Sequence, residues 1–220
     1  ASDWSGRGYA TLAVADLERA VQLLPAGRKN EGMANLAAFY MAHEMNDKGA
    51  AAYGKLLEEN PQDVRALLGL ARVAATKFDL DLAGEYVKKA ESAGADPGRV
   101  AMERAILHVA AGAYGRARVA MESLVATRPE MVDAWQLLCE VLVHENDSVA
   151  TDECLRKMSQ IAGARQASAY LSAQVALRKK DVRLARRIME QAFGPNPGSI
   201  KALDQFLRLD LADNDRKRMF

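Results

Sequence analysis

A small side chain returns every 34 positions along the chain, at Gly49, Ala83, Ala117, Thr151 and Ala185. A second small column runs in step with it, at Ala37, Ala71, Ala105, Cys139 and Ala173. Two apolar columns keep the same phase: Tyr53, Val87, Met121, Leu155 and Met189, then Leu56, Ala90, Leu124, Met158 and Ala192. A fixed period in the range of about 20–50 residues marks a solenoid, in which one unit recurs and buries its apolar face only by stacking on its neighbour. Between the columns, apolar residues recur at i, i+3, i+4 and i+7, the spacing of a helix face. No segment sustains a two-residue alternation of β-branched and aromatic residues. The expectation is an all-α chain with two helices per period and no sheet.

Setting the phase on these columns gives five full frames, 30–63, 64–97, 98–131, 132–165 and 166–199, and a partial or capping sixth, 200–220. Each frame reads as helix A, a short turn, helix B and a link. In the fourth frame helix A is predicted over Val132–His144 and helix B over about 149–161. The stretch from Tyr9 to Leu24 reads as a half repeat, a helix B without its helix A. The whole of 1–220 is thus read as a single array, begun in mid-unit and stopped within another, as if cut from a longer one. Prolines punctuate the frames at Pro25, Pro61, Pro97, Pro129, Pro195 and Pro197. There they end one helix or set the first turn of the next.

The identities within the columns resemble the tetratricopeptide repeat (TPR) family. The fourth frame shows Trp135, Leu138, Cys139 and Leu142 on helix A, then Thr151, Leu155 and Met158 on helix B. The second shows Leu67, Leu70, Ala71, Ala74, Ala83, Val87 and Ala90. The first adds Met33, Leu36, Ala37, Tyr40 and a closing Pro61. Five positions depart from the family pattern: Arg104 and Ser172 stand where it prefers Leu, His108 where it prefers an aromatic, and Ala95 and Gly163 where a Pro closes the unit. The resemblance implies an α-solenoid of helix-turn-helix repeats, wound as a right-handed superhelix, with the A helices lining a concave groove. The inward residues would include Asn35, Arg65, Arg72, Arg99, Glu103, Gln136, Glu140, Tyr170, Gln174, Arg178 and Arg208. Arg65 and Arg72 lie seven apart on one helix face, and Arg99 opens the next A helix. Three such guanidinium groups suit an acidic peptide, because each can grip a carboxylate in bidentate fashion. Pairing with nearby acids such as Glu103 is the competing reading. The carboxylate clamp of chaperone-binding family members is absent, since its positions hold Ala34, Ala38, Gly69, Arg99 and Glu103.

The bulk chemistry narrows the function classes. Among 220 residues, 30 Lys and Arg face 29 Asp and Glu, leaving a net charge of +1. A phosphate-backbone binder needs a basic excess, so no nucleic-acid partner is expected. Half the residues are hydrophobic, but no run of about 18 apolar residues is present, so no transmembrane segment is expected. Charge is blocked along the chain: frame 30–63 has two basic and six acidic residues, and frame 166–199 has six and two. The run from Arg178 to Arg187 reads as a solvated face, or as a docking patch for an acidic segment or an anionic lipid surface. Cys139 and Cys154 fall on the two helices of one frame. They read as free thiols used as small core residues, with an intra-repeat disulfide as the alternative.

His43 and His144 end A helices, where a partial positive charge suits the helix dipole. His108 falls on a column that is usually buried. Two histidines spaced i, i+4 on one helix, as a metalloprotease site requires, do not occur. Neither a glycine-rich phosphate loop nor a GxSxG elbow is present, so no catalytic residue, cofactor or metal is assigned. The expected function is a non-enzymatic scaffold that binds a peptide or helix of a partner protein within a larger assembly. Self-association through the array ends or the charge blocks is the alternative, and an RNA-binding helical repeat a more remote one.

Overall fold

The computed structural model describes residues 4–194 and Leu209, with side chains from Ala13 onward. The described residues form eleven helices and no strand: α1 (Trp4–Leu23), α2 (Ala26–Ala42), α3 (Asn46–Glu59), α4 (Val64–Thr76), α5 (Leu80–Ser92), α6 (Pro97–Ala110), α7 (Tyr114–Thr127), α8 (Val132–His144), α9 (Ser148–Ser159), α10 (Arg165–Arg178) and α11 (Val182–Phe193). The predicted bounds of α8 are met. Helix α9 ends two residues before the predicted Ile161, and α2 starts at Ala26, four residues ahead of its frame. Helix α1 also begins earlier than the predicted Tyr9. Pro195, Pro197 and the 200–220 segment, Leu209 excepted, lie outside the described residues.

The chain divides into two compact units, residues 1–113 and 114–220. In the first, each helix packs on its neighbours in sequence, from α1 to α6, and α4 also touches α2 and α6. Its interior is a series of layers. One gathers Leu36, Ala37, Tyr40, Tyr53 and Leu56. The next gathers Leu67, Ala71, Val87, Ala90 and Val100. A hydrogen bond from the Tyr40 hydroxyl to Glu18 (2.5 Å) and an ion pair from Lys48 to the same carboxylate (3.2 Å) join α1, α2 and α3. Burial and the Glu18 carboxylate push the Tyr40 pKa up to about 12. In the second unit α7 packs on α8, α8 on α9, α9 on α10 and α10 on α11. There Ala173, Ala176, Ala185, Met189 and Leu209 form one core cluster.

The repeating columns account for the packing. Ala37, Ala83, Ala105, Ala117, Cys139, Ala173 and Ala185 are fully inaccessible to solvent, as are Met121, Met158 and Met189. Small residues let paired backbones approach, and each buried large side chain contributes about 1.5–3 kcal/mol.

Cys139 and Cys154 are joined by a disulfide between α8 and α9, with a Cα–Cα distance of 5.8 Å. The free-thiol reading is corrected. A thiol in the small-residue column of helix A lies at crossing distance from helix B, and that closeness brings the second sulfur within bonding reach.

Candidate functional site

Five of the predicted groove residues converge in the first unit. Asn35 of α2, Arg65 and Arg72 of α4, and Arg99 and Glu103 of α6 line one recess of about 210 Å³. Ala34, Ala38 and Gly69 leave it open, and Tyr53 of α3 forms part of its wall. These small residues occupy clamp positions where chaperone-binding repeats would carry longer side chains.

Helix caps fix the basic residues. Asp63 caps α4 by accepting from the backbone N–H groups of Arg65 and Ala66, and Asp96 caps α6 by accepting from that of Arg99. Each arginine thus starts at a set height in the first turn of its helix. The Arg65 guanidinium reaches Asp63 at 3.4 Å. Arg72 is committed more firmly. Its Nε lies 2.9 Å from both carboxylate oxygens of Glu103, and its Nη2 lies 2.5 Å from one of them. Glu103 is 5 % exposed, so the pair forms a bidentate bridge from α4 to α6 with one member buried. For Arg72, the reading that it pairs with Glu103 is the one the structure bears out. Arg99 makes no side-chain ion pair among the described residues.

Tyr53 supplies the second polar feature. It is 6 % exposed, yet its hydroxyl makes no hydrogen bond among the described residues. Burial raises its pKa above the ordinary tyrosine value, with Arg72, Glu103 and Arg65 acting on it electrostatically. The hydroxyl therefore stays neutral and able to donate. Sequence reasoning placed Tyr53 in a core column, where it lies, and did not anticipate that it also walls this recess. A glycine inside the apolar helix α4 was the available signal, because it costs about 1 kcal/mol against alanine and so calls for a packing reason.

The second unit does not gather its predicted residues in the same way. The Gln136 amide donates to Glu140 at 3.0 Å on α8. Tyr170 packs half-buried against the α10–α11 core. Gln174 is half-buried one turn further along α10. Arg178 lines a separate recess of about 200 Å³ beside Asn146 and Asp152. Arg208 lies outside the described residues. Of the three histidines, His43 rests against Phe39 with ring centroids 4.3 Å apart, and His144 stacks on Tyr114 at 3.6 Å. His108 is half-buried on α6.

No protein-family model matches the chain, and no curated protein matches it. Solved structures do. A tetratricopeptide repeat protein from Parabacteroides merdae superposes with a TM-score of 0.72 at 17 % identity, over 94 % of this chain and 78 % of its own. A TPR protein of Thermus thermophilus gives 0.68 at 18 % identity, over 83 % and 98 %. PilF of Pseudomonas aeruginosa gives 0.55 at 18 % identity, over 86 % of each chain. At such identities the likeness is one of architecture, and the architecture of this chain is the tetratricopeptide-repeat fold.

Proposed function

We propose that the chain is a non-enzymatic protein-interaction scaffold whose first unit seats an acidic group of a partner peptide. One observation carries this reading: Ala34, Ala38 and Gly69 leave open a recess that is lined by Tyr53 and by Arg99, an arginine that makes no ion pair among the described residues. Arg99 supplies charge and Tyr53 a neutral donor. Arg72, locked to Glu103, holds α4 and α6 at a fixed separation. A preformed site of this kind loses little entropy when a peptide docks, which is the usual source of affinity in a rigid groove.

The test is selection of displayed peptides on the whole chain and on its Arg99→Glu variant. Enrichment of Asp- and Glu-bearing peptides on the wild type, lost on Arg99→Glu, is the expected result. Equal enrichment on both would overturn the reading. Arg72→Glu is unsuited to this purpose, since it would set a second carboxylate against the buried Glu103 and disturb the fold itself.

A further inference from the structure

The second unit holds a recess of about 580 Å³ between α7, α8 and α9. Trp135 and Leu138 of α8 line it, and so do Ala150 and Cys154 of α9. Cys154 is one half of the disulfide with Cys139, and Cys139 does not line the recess. Cys139 is 0 % exposed and Cys154 3 %. The bridge therefore borders open space on the Cys154 side.

The next repeat shows what usually stands there. A matching recess of about 340 Å³ lies between α9, α10 and α11, lined by Leu184 and Ile188. Those two residues are 34 positions on from Ala150 and Cys154, and Leu82 fills the Ala150 column two frames earlier. Residues four apart on a helix are neighbours on one face. A leucine at 150 would stand beside the sulfur of Cys154, and alanine leaves that approach uncovered. The rim charges are spent on each other: Arg118 meets Glu122 at 2.9 Å, and Lys157 meets Glu153 at 2.9 Å.

A disulfide exchanges when a thiolate attacks one of its sulfurs, and access decides which sulfur is attacked. Here access favours Cys154.

We propose that Cys154 is a site of thiol–disulfide exchange in the folded protein, reached through the α7–α9 recess by a low-molecular-weight thiol. The thiolate of that molecule attacks Cys154 Sγ, and a mixed disulfide forms there as the bond to Cys139 breaks. The electron pair leaves on Cys139 Sγ, which takes a proton from solvent. Burial favours the neutral thiol at Cys139, and a neutral thiol attacks back slowly. A second thiol molecule then attacks the small thiol's own sulfur in the mixed disulfide. Both cysteines end reduced, and the small thiol departs as its own disulfide. The staple between α8 and α9 is thus opened while the unit stays folded, which makes it a redox-sensitive device.

The experiment incubates the folded full chain with reduced glutathione, quenches with acid, blocks free thiols with iodoacetamide and maps both cysteines by peptide mass spectrometry. Cleavage after Glu140 separates them. Early samples should carry glutathione on Cys154 and the alkyl group on Cys139. The rate should stay level in sub-denaturing urea, because exchange that waits for unfolding rises with urea. Ala150→Leu, which installs the residue of Leu82 and Leu184, should slow exchange by about five-fold or more through lost access. In full denaturant the variant and the wild type should exchange alike. The proposal falls if glutathione appears on Cys139 or equally on both cysteines, if the rate climbs with urea from the outset, or if Ala150→Leu exchanges as fast as the wild type when folded.

Discussion

Gly69 sits in mid-helix on α4 with the ring of Tyr53 lying where a side chain would be. A Cβ built there would come 2.3 Å from two ring carbons, closer than any side chain tolerates. Gly84, in α5, has nothing within 4 Å of the same position. The two glycines therefore respond oppositely to alanine. Gly84→Ala should stabilise by about 0.5–1 kcal/mol, the helix-propensity difference. Gly69→Ala gains the same propensity but must expel the Tyr53 ring, at a cost of ~1–3 kcal/mol for overpacking, and should melt lower than the wild type. Paired thermal melts decide it: if Gly69→Ala melted as high as Gly84→Ala, Tyr53 would not be held where the recess requires. Two residues of identical type, both in helices, are separated here only by what the next helix brings. That is why the sequence alone does not tell them apart.

At the scale of elements, the turn between helices A and B is as periodic as the helices. Positive φ falls on Glu44, Phe78, Gly112, Asn146 and Lys180, again 34 apart. The next residue donates its N–H back into helix A in every case, from Met45 to Tyr40, Asp79 to Ala74, Ala113 to His108, Asp147 to Leu142 and Asp181 to Ala176. This is the left-handed C-terminal cap that glycine favours. In three turns the same residue is an aspartate that also caps helix B, accepting from Leu82, Ala150 or Leu184. The column escaped the sequence reading because only one of its five residues is glycine; backbone strain of about 1–2 kcal/mol is tolerated at the others. Phe78 is 78 % exposed, so Phe78→Gly should stabilise by about 1 kcal/mol with little packing to lose, as a denaturant titration would show.

Asp147 adds a pH dependence to these turns. The Ala150 N–H, and then the Arg118 guanidinium, hold its carboxyl below the ordinary 3.8. Arg118 also meets Glu122 and Glu145. Because the folded pKa lies below the unfolded one, this cap contributes its full stability above the unfolded value. The contribution is lost as the pH falls from there through the folded pKa. Asp147→Asn keeps a capping oxygen but no titratable proton. Its stability should fall less steeply than that of the wild type below about pH 4, as urea midpoints across that range would register.

For the molecule as a whole, what could be read in advance follows from the kind of order a repeat has. Helix number, pairing and the buried columns were legible because every frame restates them, and an error in one frame is corrected by four others. The recess chemistry was legible only in part. Arg65, Arg72 and Arg99 come together as their spacing implied, but which of them is already paired depends on a single acid, Glu103, at one place in one frame. The disulfide likewise occurs once, with no second instance to reveal it. Stability in such arrays is close to a sum of local terms, so a local staple should act locally. Closing a span of 15 residues is worth about 3 kcal/mol. Trp135 reports on that region, being 9 % exposed and within reach of the bridge through the contact of Cys154 Sγ with its carbonyl oxygen. In a Trp4→Phe background, dithiothreitol should lower the urea midpoint of Trp135 fluorescence. Amide exchange in α4, whose residues lie in the first unit's own core layers, should keep its protection. If reduction instead collapsed the protection of α4 together with the tryptophan signal, the chain would be one cooperative body, and the additive account of its repeats would be wrong.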